Sequence, residues 1–402
     1  MASFQKVPAN NKQGYKWICI MDGPPDPVTG KRNQISRRGD TKKEAEERAK
    51  NAIDALHKGL DLRKAKNLTF EDVSREWLKT YSKRKVKIAT VVRRQKDIDL
   101  LLKRIAKVNI RKFSHKQYQN IINELDDEEY ARNTIAAIHT TTNMIMKYAI
   151  KNNIIVDNPC SDVVIPEKKL TVEEIENTTI EDKYFEKNEL SDFLSAVIRY
   201  GLPMDKERFY LLAFSGMRPG ELCALKWSDL NFETNEIRIT KTLYNPNNNM
   251  KKYMLTPPKT KGSIRTFNLD EKVMKLLAKH REKQKKSIKE FKGLYGKEYH
   301  DENFVFCHAN GYPFLQINVL NRMKRILRLA SIKKSATPHI FRHTHISMLA
   351  EAEVDLKTVM RRVGHDDPKT TLKIYTHVTD KMKKDANEKI RSHFADLLNF
   401  KL

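Results

Sequence analysis

Apolar residues fall with two different periods along this chain, and the change of period divides it. Near the N-terminus the period is two: Tyr15-Lys16-Trp17-Ile18-Cys19-Ile20 alternates as a half-buried strand should, and Asn33–Gly39 reads as a second strand. Between them, Gly23–Lys31 is rich in Gly, Pro and Asp and predicts a hairpin connection. Thr41 then stands where an N-cap belongs, with Glu44 completing a capping box and Ala45, Ala49 and Ile53 lining one helical face.

From Thr69 onward the period lengthens to that of a helix. Thr69-Phe70-Glu71-Asp72-Val73 starts a helix bearing Trp77 and Leu78. Lys87–Lys107 places Val91, Ile98, Leu101, Leu102 and Ile105 among basic residues. Ser114–Leu125 and Tyr130–Asn152 follow, the latter with Ile135, Ile138, Met144 and Ile145 as core candidates. Asn158-Pro159 ends this run, and Pro166–Asp182 is charged and reads as a linker. Helical patterns resume near Glu186–Leu190 and at Leu211–Phe214. Two strands are expected at Glu236–Ile239 and Arg265–Leu269, with a hairpin loop at Thr256–Ser263.

These readings predict a multidomain, mainly α chain. Residues 1–64 form a three-stranded sheet plus helix, 65–165 a helical domain, 166–182 a linker, and 183–402 a mixed α+β domain. Its tail, Asp380–Leu402, carries Ile390, Phe394, Leu397 and Leu398 at helical spacing, and covers its own domain or a neighbour's.

Charge narrows the partner. The 402 residues carry a formal net charge of +26, which favours a polyanion. Between Lys83 and Lys116 thirteen Lys/Arg face only Asp97 and Asp99. No stretch approaches the ~18 apolar residues that a membrane span needs, and the first residues lack a signal-peptide core. The four cysteines, Cys19, Cys160, Cys223 and Cys307, form no Cys-x-x-Cys pair, which argues against a zinc site or disulfide framework and fits a reducing cytoplasm.

The chemistry concentrates late in the chain. His339 and Arg342 stand at i, i+3 in Thr337–His345, so one helical face presents both. His365 follows a glycine at the end of a short helix, and Tyr375 comes ten residues later. Arg218 lies upstream in Gly216-Met217-Arg218-Pro219-Gly220-Glu221. Guanidinium forks match phosphate oxygens, histidines near neutrality move protons, and a tyrosine hydroxyl can act as nucleophile. The residues alone leave His343, His345 and His377 without assigned chemistry.

At these residues the chain resembles the tyrosine recombinase family, the phage-integrase type of site-specific DNA recombinase, strongly over about 180–390 and more weakly elsewhere. The resemblance implies Arg218 and Arg342 as a phosphate clamp and Glu221 as their orienting neighbour. It implies His339 as acceptor of the tyrosine proton, His365 as a phosphate contact and Tyr375 as nucleophile. A hairpin lysine is the implied general acid; Lys259 matches that place, with Lys261 as a rival. No metal or other cofactor is implied. The first domain resembles an arm-type DNA-binding domain, with Lys16, Lys31, Arg37 and Arg38 as candidate contacts in the major groove. The second resembles a core-binding domain, with Lys83, Arg84, Lys85, Lys87, Arg93 and Arg94 on phosphates. The implied partners are double-stranded DNA at core and arm sites, three further copies in a tetramer, an excisionase and a host DNA-bending protein. The implied setting is the cytoplasm of a bacterium, on its nucleoid, serving a temperate phage or an integrative conjugative element. Two rivals are a type IB topoisomerase-like enzyme and a non-catalytic DNA-binding regulator.

Overall fold

A computed structural model describes residues 2–11, 13–25, 32–57, 67–167, 183–258, 260–369, 371–379 and 382. Lys31, Lys259, most of the expected linker and nearly all of the expected C-terminal helix lie outside these residues. The chain divides into two compact units, Met1–Lys169 and Leu170–Leu402.

The first unit opens with an antiparallel meander of β1 (Ser3–Pro8), β2 (Tyr15–Gly23) and β3 (Asn33–Gly39), in that order, followed by α1 (Lys42–His57). The start of α1 is held by Thr41: the Glu44 amide donates to Thr41 Oγ1 at 3.1 Å. In return, Glu44 Oε2 accepts from the Asp40 amide at 2.7 Å. Register sorts the two faces of the sheet. Phe4 pairs with Cys19 and Cys19 with Arg37, and Cys19 is buried with Ala45 and Ala49 of α1. Directly opposed residues share a face, so Arg37 belongs to the helix-covered side. Arg38, paired with Ile18, belongs to the open side, together with Gln5, Lys16, Ile20 and Ser36.

Four helices complete this unit: α2 (Phe70–Ser82), α3 (Ile88–Ile105), α4 (His115–Asp127) and α5 (Arg132–Lys151). Capping boxes start two of them, Thr69 with Asp72 and Ser114 with Gln117. Phe70, Trp77, Leu101, Tyr118, Ile138 and Ile145 interdigitate in one core. A buried polar tie crosses it, in which Thr141 Oγ1 donates to Asp97 Oδ2 at 2.5 Å and Arg94 Nη1 donates to Thr141 Oγ1 at 2.8 Å.

The second unit packs α6 (Lys187–Tyr200), α7 (Asp205–Ser215), the short α8 (Pro219–Ala224), the long α9 (Glu271–Tyr295), α10 (Gln316–Leu329), α11 (Ile340–Glu351) and α12 (Leu356–Val363). Strands β4 (Leu230–Asn231), β5 (Glu236–Ile239) and β8 (Arg265–Asn268) form one sheet in that order. Strands β6 (Thr242–Tyr244) and β7 (Met254–Thr256) pair separately, so two strands intervene where a single hairpin loop was expected. A chain of rings (Phe185, Phe193, Phe209 and Phe341) locks α6, α7 and α11 around one core. That core fixes the C-terminus of α7 and the N-terminus of α11 beside each other, where the candidate chemistry lies.

Candidate active site

Helix α7 ends at Gly216, whose φ of 61° suits glycine. A side-chain carbon there would also come 2.7 Å from the His345 ring. The Gly216 carbonyl is therefore open to α11, and Arg342 Nη1 donates to it at 2.9 Å. Arg218, the N-cap of α8, follows two residues later with Pro219 at the first helical position.

Arg218 is fixed on three sides. Its Nη1 donates to Glu221 Oε1 at 2.8 Å and to Ser263 Oγ at 3.3 Å, and its Nη2 donates to the Gly364 carbonyl at 3.1 Å. Arg342 is fully buried; its Nε donates to His365 Nε2 at 3.1 Å. Its Nη2 is buried and has no hydrogen-bond partner among the described residues. Because His365 Nε2 accepts, its proton sits on Nδ1, which donates to Thr371 Oγ1 at 2.6 Å. A phosphate contact through His365 Nε2–H therefore requires Arg342 to release that nitrogen first.

Electrostatics follow from burial and crowded positive charge. Burial, then Arg342 and Arg218, pushes His365 down to about 3. Burial, then His343, Arg342 and Arg218, lowers His339 to about 4. Both imidazoles are neutral near pH 7, and a neutral imidazole can accept a proton. Burial and the neighbouring Arg218 also lower Arg342 well below its ordinary value. For Glu221, burial pushes upward, but Arg265 and then Arg218 outweigh it and hold the carboxyl low. Three guanidiniums thus converge around one carboxylate, a centre with an unbalanced positive charge that an entering anion would offset.

The structure brings together Arg218, Glu221, Arg342 and His365, with His339 close enough to feel their charge. Tyr375 sits on the helical stretch 371–379. It is half-buried against Ile346, Val359, Val363 and Ile374. The hydrogen bonds that join the arginines to His365 do not extend to Tyr375 among the described residues. Lys259 is outside the described residues. Lys261 begins a 3-10 turn.

Several residues with defined places here carry no motif. Arg265 Nη2 donates to Glu221 Oε2 at 2.9 Å. Ser263 Oγ donates to the Gly364 carbonyl at 3.3 Å. His345 is enclosed, with Arg362 Nε donating to its Nε2 at 3.0 Å and its Nδ1–H facing the Ala213 carbonyl at 3.0 Å. That makes His345 a strut under Gly216. A signal for Arg265 was present: with Phe267 and Leu269 at period two, it falls on the buried side of a strand, where a charge needs a partner.

The candidate nucleic-acid contacts divide. Lys83, Arg84, Lys85 and Lys87 are exposed around the turn between α2 and α3, and Arg93 is exposed on α3. Arg94 is corrected: its Nη1 also reaches the Ala137 carbonyl at 3.2 Å, so it ties α3 to α5 instead of standing free for phosphate. In the sheet, Arg38 is exposed on the open face, and Lys16 shares that face while pairing with Asp40 at 3.4 Å. Arg37 is corrected as well, since register turns it to the α1 side, where it cannot share a groove with Arg38.

Residues 183–382 match the phage integrase family, residues 8–56 an arm DNA-binding domain, and residues 69–125 the SAM-like N-terminal domain of phage integrases. The chain is 32% identical over 386 residues to the prophage ps2 probable integrase of Lactococcus lactis subsp. lactis (strain IL1403), covering 94% of this chain and 95% of that protein. It is 30% identical over 335 residues to the integrase of Staphylococcus phage L54a, covering 81% of this chain and 93% of that one. Among solved structures, the Tn1549 transposon integrase in complex with a circular intermediate DNA superposes with a TM-score of 0.59 at 20% identity, over 79% of this chain and 99% of that chain. At that identity the superposition speaks for the fold.

Proposed function

The chain belongs to the phage integrase family, and on that premise we propose how its own residues carry out the reaction. It is a tyrosine site-specific recombinase, cleaving and rejoining DNA through a phosphotyrosyl intermediate. DNA is its partner, and recombination prevails over relaxation or passive regulation.

In our reading the scissile phosphate enters where Arg342 Nη2 lies buried without an acceptor, which is the observation that carries the assignment. Arg218 and Arg342 flank it and balance the charge that grows on the non-bridging oxygens. Tyr375 attacks phosphorus. The bond from phosphorus to the 5′ oxygen breaks, leaving a 3′-phosphotyrosyl link and a free 5′-hydroxyl. The tyrosine proton passes to His339, neutral in the free protein, and Lys259 gives the leaving oxygen its proton. A 5′-hydroxyl from a second duplex reverses the step, so strands exchange without an external energy source.

Residues 1–64 read arm sites, 65–165 clamp the core site and 183–402 cut. Four copies acting on two duplexes, aided by an excisionase and a host bending protein, complete the proposal, with the bacterial nucleoid as its place. Among the described residues no helix is long and apolar enough to cross a membrane.

Tyr375→Phe tests the reading. A nicked suicide substrate should trap wild-type protein on a denaturing gel, and the variant should bind the same DNA yet give no covalent band. An undiminished band would move the nucleophile elsewhere.

A further inference from the structure

We propose that Arg265 is a positioning residue for DNA cleavage: it restrains Glu221 so that Arg218 stays aimed and charged toward the phosphate. This rests on the assignment of Arg218 to the phosphate clamp. Arg265 is almost wholly buried, its side chain 4% exposed, and so is Glu221 at 1%.

Its guanidinium grips the carboxylate on both oxygens, with Nη2 at 2.9 Å from Oε2 and Nη1 at 3.3 Å from Oε1. Arg218 takes the same two oxygens from the other side, its amide donating to Oε2 at 2.9 Å and its Nη1 to Oε1 at 2.8 Å. Each oxygen thus has one donor from each arginine. Arg265 spends its remaining bonds on segments that flank the site: Nε donates to the Arg362 carbonyl at 2.8 Å and Nη1 to the Ser263 carbonyl at 3.0 Å. It therefore ties the turn before β8 and the end of α12, which carries Gly364 and His365, to the Arg218 turn.

The physical consequence concerns charge as well as position. Without Arg265, the buried Glu221 carboxylate has Arg218 as its one remaining hydrogen-bonded cation among the described residues. It would pair fully with that guanidinium and draw it away from phosphate, since a buried charge that loses one partner leans on the other. A lysine could not replace the fork, because one ammonium cannot span two carboxylate oxygens and two carbonyls in this geometry.

The test is single-turnover cleavage of a nicked core site at saturating protein, run on the full chain. Wild type, Arg265→Gln and Arg265→Lys are compared on the natural phosphate and on a methylphosphonate at the scissile position. The Kd for the core site is measured alongside. Arg265→Gln should cleave the phosphate about 10- to 100-fold more slowly, the range a misplaced catalytic group produces, with the Kd changed by less than about twofold because charge neutralisation at the phosphates sets it. Arg265→Lys should fall between wild type and Arg265→Gln. On the methylphosphonate, which no longer draws on the charge of Arg218, the loss should shrink to about threefold or less. An equal loss on both substrates would show a role in folding alone and overturn the proposal, as would unchanged cleavage of the phosphate. If Arg265→Gln does not fold, Arg265→Lys carries the same requirement that its loss depend on the substrate. Failure of wild type to form any covalent complex would instead overturn the recombinase mechanism, leaving a distinct signature.

Discussion

In the helical bundle of the first unit, Lys83, Arg84, Lys85 and Arg93 stand in solvent, whereas in the second unit Arg265 and Arg342 are buried and bonded to named atoms. The exposed set can slide along a polyanion, since each contact exchanges counterions for a phosphate and demands little orientation. The buried set has already lost its hydration during folding, so an arriving phosphate would meet Arg342 Nη2 as a donor already stripped of water. In the proposed function one residue type thus supplies affinity in one region and rate in the other. Burial, not charge, separates the two jobs.

The comparison breaks most visibly at Arg342. Arg342→Ala should slow covalent-complex formation by about 10² to 10³, the usual cost of one lost transition-state donor, while core-site affinity, set by the exposed cations, changes little. A parallel collapse of binding in a gel-shift assay would show that the buried set also provides affinity.

Acid should strain the second unit more than the first. His339 is lowered to about 4, and His345 and His365 to about 3, whereas in the first unit His139 is the histidine lowered among the described residues. An unfolded histidine takes a proton near pH 6.5, and these native sites refuse it until far lower pH. Stability is therefore complete above about pH 6.5 and is lost as pH falls toward 4, by roughly 2 kcal/mol per such histidine at pH 5. In a variant with Trp17→Phe and Trp77→Phe, Trp227 alone reports the second unit, and its fluorescence melting point should drop between pH 7 and pH 5. A melting point flat over that range would contradict the buried, neutral histidines.

The smallest effect sharpens the exposed side. Arg38→Ala should weaken arm-site binding by about tenfold, as one lost base or phosphate contact does, while Arg37→Ala, on the helix-covered face, should leave affinity nearly unchanged. Equal losses in a titration with labelled arm DNA would mean that the sheet does not present a single face.

How much of this was legible beforehand depended on how local the cause was. Strands β3 and β5 stand where their alternation puts them, and the helices begin at Thr69 and Ser114 because a capping box is written within four residues. The first sheet has the three strands expected, though β1 was given no place, and β6 and β7 were missed: each is three residues long, too short to show a period against the loop around it. The side chosen by Arg37 was within reach. Ile35 is buried two positions earlier on the same strand, so parity already turned Arg37 inward. In the candidate site, Arg218, Glu221, Arg342 and His365 carry motif spacing. Thr371 carries none, because its role comes only from lying 2.6 Å from His365 Nδ1. His345 differs from His343 only in what the fold lays against it: the Ala213 carbonyl and Arg362 on one, the Lys183 carbonyl on the other.

The bond from Arg218 to the Gly364 carbonyl spans 146 positions of the chain, and that from Arg342 to Gly216 spans 126. A ribosome that has made residues 1–330 has therefore made Arg218, Glu221 and Arg265 but not Arg342, Gly364 or His365. The charge cradle closes only when the last segments have emerged and folded back onto the α7–α8 junction. A copy cut short before those segments lacks Arg342 itself and the Gly364 carbonyl that holds Arg218, so we expect it to bind DNA without breaking it.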